Sequence, residues 1–500
     1  MEAYATLFSF FPDNLEYGLY LASAQTAGGR GKDALASVQK LRSLPGEGKD
    51  DPRIDSAEQE AAYSLSDNQA TLAAAEKTIT KASASGANLV LARARSFQCR
   101  SLADVGRPEA SKLACDEAAR IYQQAGDLSG VARTLHSIAE VPLNQGDLDH
   151  AKKLYEQALS ISRQIGDRRG VGREMGNIGL IYAQQGYLAR AEQIYRESIA
   201  ITREIGDKAG LAVDLGNLGD LLHSQARFAD ALASYTSALE LAREVGHQLS
   251  VSIDLQEIGD VLADQGDLDA AMKNYDKALA IQRDIGSRSY YAGTLLPMGN
   301  VLRQKGDAAG AKKAYEEALS IRQQLGERGT SADTQLALAQ LACDLGHGAD
   351  AEPLIRAAML ELHAAKETDH EILAAALLSQ SLLQQAKLPD AQKTIADALK
   401  LAAKSQDVTV RLALTISNAY LRTALHDIAG AQRIALDALA ETTRLGYVPM
   451  EFEASLALGA IEMQGNNPAA GRDRLARLEK AARSKGFELI ARKSALQRNQ

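Results

Sequence analysis

The chain has 500 residues, a formal net charge of −8 and 46% apolar residues, with 10 prolines and 3 cysteines. Negative charge argues against a nucleic-acid footprint or an anionic membrane surface as partner. No apolar run reaches the ~18 residues of a membrane span, and the start, with Glu2 and no early Lys or Arg, makes a poor signal peptide, so a cytoplasmic protein is expected.

Residues 1–12 read as the trailing half of a truncated repeat, with Tyr4, Leu7 and Pro12 before Asp13 and Asn14. On that reading Phe8, Phe10 and Phe11 lack a partner helix and offer a surface for self-association. Residues 13–128 hold degenerate helical pairs, the first being Asn14–Ala27 and Lys32–Arg42. Between these two, residues 26–33 (TAGGRGKD) read as a turn. Asp33 stands where a phosphate-binding loop needs Ser or Thr, and no strand precedes it. Residues 43–53 (SLPGEGKDDPR) are a loop on their Pro, Gly and charge.

Residues 129–345 are regular. The block opening at Gly146 reopens at Gly186, Ala226, Gly266 and Gly306, a fixed period of 40 residues that marks a repeat array. Each block encodes two helices. The first begins at Asp147, which supplies an N-cap acceptor. It carries Ala151, Tyr155, Ala158 and Leu159 on one face and closes at Gly166. The second spans about 169–185, with Met175, Ile178, Gly179 and Tyr182 as its stripe. Residues 346–500 keep the period more loosely and finish in a capping helix; Lys366 and Gln406 replace the loop glycine.

Counting from each block's opening residue, position 34 is small (Gly179, Gly219, Gly259, Gly299), position 6 of the next block is Ala191, Ala231, Ala271 or Ala311, and position 10 is Tyr195, Tyr235, Tyr275 or Tyr315. Glycine inside a helix costs about 1 kcal/mol against alanine, so its recurrence points to close helix packing. The order small, Ala twelve residues on, aromatic four further resembles the tetratricopeptide repeat (TPR). The 40-residue length is similar to kinesin-light-chain-like repeats and to the carboxyl-terminal repeat regions of bacterial serine/threonine kinases and winged-helix regulators. The family tryptophan is replaced by Met175, Leu215, Leu255 and Leu295. The resemblance implies an all-α, right-handed superhelical solenoid of about twelve hairpins, each packing on its neighbours.

The same resemblance implies a concave groove lined by the second helices. Positions 28, 32, 35 and 39 form a stripe there, separate from the core face. Its candidate partner-binding residues are Arg133, Glu140, Arg173, Asn177, Asn217, Asp220, Glu257, Asp260, Asp264, Asn300, Asp333 and Asp344. Asn144 lies on the same stripe. Asn177 and Asn217 match a groove asparagine used on peptide backbones, and an amide both donates and accepts. The acids from Asp220 to Asp344 point to a partner with a basic segment. The lysine and asparagine of the family's two-carboxylate clamp are missing at Gly176 and Leu180 and in the following blocks.

No catalytic, metal or cofactor motif stands out. Cys99, Cys115 and Cys343 lack metal-ligand spacing and read as buried thiols without a disulfide framework. His363, Asp369, His370 and Glu371 read as a solvated loop. The expected function is a non-enzymatic scaffold that binds a protein or peptide in its groove, without nucleic acid or membrane. The alternative is the sensor portion of a bacterial kinase or transcriptional regulator.

Overall fold

The computed structural model describes residues 1–465 and 467–499. Asn466 and Gln500 lie outside the described residues, as do the side chains of Glu47, Pro108 and Asn144. Among the described residues it is all-α, with 26 α-helices and no strand.

After α1 (Glu2–Phe10), the helices pair as α2/α3 (Leu15–Ala27, Gly31–Leu41), α4/α5 (Pro52–Ser64, Asn68–Ser85) and α6/α7 (Asn88–Asp104, Pro108–Gln124). The regular pairs follow: α8/α9 (Leu128–Asn144, Leu148–Gln164), α10/α11 (Arg168–Gln184, Leu188–Glu204), α12/α13 (Lys208–Ser224, Phe228–Val245), α14/α15 (Gln248–Asp264, Leu268–Ile285) and α16/α17 (Arg288–Gln304, Ala308–Leu325). The last pairs are α18/α19 (Arg328–Asp344, Gly348–Ala365), α20/α21 (Thr368–Gln384, Leu388–Ala402), α22/α23 (Val408–Ala424, Ile428–Leu445) and α24/α25 (Val448–Gln464, Pro468–Ser484), followed by α26 (Glu488–Arg498). This is a TPR-type superhelical repeat fold.

Local chemistry fixes the period. Asp147 accepts the His150 backbone N–H, and Asp127, Asp167, Asp307 and Asp427 each accept that of a glycine three residues on. Such a cap is worth about 1 kcal/mol per helix. Within a hairpin the small residue at position 34 sits on the tyrosine plug. A Cβ at Gly179, Gly219, Gly259 or Gly299 would fall 2.7, 2.6, 2.5 or 2.4 Å from a ring carbon of Tyr195, Tyr235, Tyr275 or Tyr315. Those four tyrosines are almost wholly buried. Three hydroxyls then donate to position 35 of the preceding helix: Tyr235 to Asp220 at 2.7 Å, Tyr275 to Asp260 at 2.6 Å and Tyr315 to Asn300 at 2.8 Å.

The facing of positions 34 and 10 also corrects the cysteine reading. Cys99 and Cys115 occupy those two positions in α6 and α7, with Cα atoms 5.2 Å apart, and are joined as a disulfide. Cys343 is the buried free thiol. A second correction concerns the amino terminus. Phe8 is 6% exposed in a cluster with Leu21, Val38, Leu41 and Ile54, whereas Phe10 and Phe11 stay open at 74% and 57%. The α2 face, bare in a lone half-repeat, covers Phe8.

Two compact units emerge. One comprises residues 1–221, 234–254 and 280–288, the other 222–233, 255–279 and 289–500. In the first, the α2–α3 turn meets later repeats: Gly28 O accepts from Gln248 N at 3.4 Å and Lys32 Nζ reaches Arg283 O at 3.2 Å. In the second, α24–α26 pack against α15 and α16. Phe452, Leu456, Phe487 and Ile490 share one apolar cluster with Leu268, Tyr275 and Val301.

Candidate functional site

The second unit lines a half-open cavity of about 1180 Å³. Its wall comes chiefly from second helices: α14, α16, α18, α20, α22 and α24, completed by α26. The 40-residue period is visible in it. Position 28 supplies Asp333, Leu373, Ala413 and Glu453, and position 32 supplies Pro297, Ala337, Leu377 and Ser417. Position 35 supplies Asp260, Asn300, Gln340, Gln380 and Tyr420, and position 39 supplies Asp264, Gln304, Asp344 and Gln384. Helices of one hairpin type stack in parallel, so equivalent positions line up into one surface.

The wall closes because its late helices return to its early ones. Tyr447 hydrogen-bonds Asp264, and its ring meets Phe228 edge-on at 5.7 Å. Val448 sits over Gly266, where a Cβ would lie 2.8 Å away. Lys493 of α26 reaches Asp344 Oδ1 at 2.8 Å across 149 residues of sequence.

The charges are mostly paired inside the wall. The Asp344 side chain is 2% exposed and is held by both Arg303 and Lys493. Burial works to raise its carboxyl, but the two cations outweigh burial and hold it below the usual carboxylate range. Burial likewise works to lower Lys493, and Glu453 and Asp344 outweigh it. His370 Nδ1 meets Asp333 Oδ1 at 2.9 Å, and that bond raises the imidazole against the opposing effect of burial. Asp264 meets His223 at 2.7 Å. Asp260 is lifted to about 6 by burial, although the Tyr275 hydroxyl and the His223 charge favour its ionised form.

Of the twelve groove candidates, five lie together on this wall: Asp260, Asp264, Asn300, Asp333 and Asp344. Glu257 is half-buried on α14 outside it. The others belong to the first unit. Arg133 hydrogen-bonds Ser129 at 2.9 Å, and Glu140 lies 3.6 Å from His136 and 3.8 Å from Arg100. Arg173 pairs with Glu174 at 2.7 Å, and Asn177 donates to the Arg173 carbonyl at 3.0 Å. Asn217 is half-buried, and Asp220 is exposed and holds Tyr235. The acids expected to face a basic partner segment are therefore already partly occupied by this chain's own side chains. Four of the six already hold a basic or phenolic side chain of this chain in the second unit, and Asp220 holds one in the first.

Sequence reasoning missed three groups. His370 sits in the first turn of α20, so the loop reading of 369–371 is wrong; the connection is short and Thr368 already begins the helix. Lys493 and Tyr447 lie far from the acids they hold. Glu174, Asp214 and Asp254, all at position 29, are buried at 0, 3 and 6% exposure. Burial lifts Asp214 to about 6 against hydrogen bonds from Ser198 and Thr202. Burial and the Asp220 charge lift Asp254 to about 7. Their recurrence at one position next to the core stripe was the available signal. Among the described residues no group of His, Cys, Asp and Glu is arranged to hold a metal ion, and no helix is long and apolar enough to cross a membrane.

Family models for the tetratricopeptide repeat match residues 131–165, 174–244 and 250–324. These residues form tetratricopeptide repeats. No curated protein matches it. Solved structures similar to this TPR protein include BtubC (BKLC) from P. vanneervenii, at 21% identity and TM-score 0.38, covering 45% of this chain and 92% of that one. A Rap protein complexed with competence and sporulation factor has 14% identity and TM-score 0.45, covering 78% and 99%. A signal-transduction ATPase (STAND) protein with a tetratricopeptide repeat sensor from Pyrococcus horikoshii has 14% identity and TM-score 0.42, covering 76% and 53%. Likenesses this distant say nothing about what this TPR protein binds.

Proposed function

We propose that this TPR protein is a non-enzymatic interaction scaffold that receives an extended segment of a partner protein in the cavity of its second unit. The observation that carries this reading is the lining itself. Four repeat positions outside the hairpin core, recurring over successive second helices, meet around one space of about 1180 Å³. Ligand sites are typically about 300–1,000 Å³, so the space is ample for a few residues of extended chain. The wall offers amide side chains at Asn300, Gln340, Gln380 and Gln384, which can both donate to and accept from a main chain. The test is site-specific photocrosslinking in native lysate. A benzophenone side chain at Gln380, in the wall, should capture a discrete partner. The same group at Leu360, 74% exposed on α19, should not. Equal capture from both positions would refute the reading.

A further inference from the structure

The cavity wall carries more acid than base. Asp260, Asp264, Asp333, Asp344 and Glu453 face Arg303 and Lys493 as the permanent cations. Both cations converge on Asp344, and Glu453 lies 3.9 Å from Lys493. The near side of the cavity is different. Asp260 accepts from the neutral Tyr275 hydroxyl, and Asp264 accepts from His223 and Tyr447. Acids there meet phenols and an imidazole instead of a lysine or arginine.

Lys493 shows what such a wall accepts. It is an ammonium on an aliphatic stem, its side chain 21% exposed, ending on a position-39 carboxylate. Long cationic side chains bury their methylenes on apolar surface and keep the charge on a polar group. Asp264 is the position-39 residue two blocks earlier, and Leu268, Leu296 and Pro297 line the same cavity. A second observation concerns acceptors. Gln304 Oε1 and Gln497 Oε1, on two lining residues, are buried with no donor among the described residues. Buried acceptors are normally satisfied, and a ligand N–H would satisfy these.

We propose that the near side of this cavity binds an aliphatic cation, an ammonium or guanidinium on a slender apolar chain, with Asp260 and Asp264 as its anchors. The inference rests on the cavity being the partner site and names the chemistry recognised there. The group comes either from a lysine or arginine of a peptide or from a free diamine.

The test uses the full chain. A displayed library of random nonapeptides is selected on the wild type and on Asp260→Asn, which keeps an acceptor for Tyr275. In parallel, 1,5-diaminopentane is titrated calorimetrically. If circular dichroism shows that Asp260→Asn is misfolded, Asp264→Asn, at the second anchor and 22% exposed, takes its place. The expected result is enrichment of peptides sharing a Lys or Arg, whose Kd rises about tenfold or more in the Asn variant. Diamine binding without peptide enrichment keeps the cation inference and overturns the peptide reading. Enriched peptides that lack Lys and Arg, or that bind both proteins equally, overturn the cation inference and leave the groove reading standing. Neither peptide nor diamine binding overturns both.

Discussion

Two glycines on α12 should respond differently to the same substitution. A Cβ at Gly219 falls 2.6 Å from Tyr235 Cε1, and the ring cannot withdraw because its hydroxyl is held by Asp220 at 2.7 Å. A Cβ at Gly216, one turn earlier on the same helix, meets nothing within 4 Å. Gly→Ala in a helix interior gains about 1 kcal/mol, and overpacking a core costs about 1–3 kcal/mol. Gly216→Ala should therefore stabilise α12 by about 1 kcal/mol. Gly219→Ala should be neutral to about 2 kcal/mol destabilising once that gain is offset. In a repeat array the effect is local, so the assay is native-state hydrogen exchange of α12 and α13, where tenfold in rate is about 1.4 kcal/mol. Exchange should slow in Gly216→Ala and quicken or stay level in Gly219→Ala. Equal slowing in both would show that position 34 is not a close-contact site.

Asp214 and Asp254, at about 6 and 7 in the folded chain, lie above the unfolded aspartate value of about 3.9. The native state thus binds more protons between these values, so stability falls as pH rises from about 4 to about 7 and is level above. Urea titrations of Asp254→Asn should show a gain on the order of 2 kcal/mol at pH 8 that shrinks below pH 6. Asp344→Ala leaves Arg303 and Lys493 without their shared carboxylate. It should cost about 3–5 kcal/mol locally, read as faster proteolysis of α26. Phe8→Ala should cost about 3–5 kcal/mol in the first hairpins, whereas Phe10→Ala should cost under about 0.5; equal losses would contradict the burial of Phe8. Ala386, at φ +57°, should gain about 0.5–1 kcal/mol on replacement by glycine, because a left-handed alanine costs about 1–2 kcal/mol and glycine returns part of that as chain entropy. Thermal unfolding monitored on α20–α21 checks this.

The hairpins and the residues that line the cavity were readable because both are periodic. Gly259 and Tyr275, or Asp264 and Asp344, recur at fixed offsets, and stacking turns a sequence offset into a shared surface. What lacked a period was hidden. The return of α24–α26 onto α15 and α16 depends on Tyr447, Phe487 and Lys493, none of which repeats. The Cys99–Cys115 link required taking positions 34 and 10 together, since each cysteine alone reads as a small buried thiol. Asp214 and Asp254 were passed over because a charged residue beside an apolar stripe normally faces water. Here Ser198 and Thr202 of α11 and the bare backbone of Gly176 on α10 close over Asp214 instead. Asp344 reads as a free groove charge because its two cations, Arg303 and Lys493, are 41 and 149 residues away in sequence.

The central claim is that second-helix positions 28, 32, 35 and 39 of the second unit form the partner site. Hydrogen exchange of the full chain with and without a peptide selected from the nonapeptide library tests it most directly. The account predicts new protection on α16, α18, α20 and α22, with α17, α19 and α21 unchanged. Protection on α17, α19 and α21 alone would place the partner on the outer helices and contradict it.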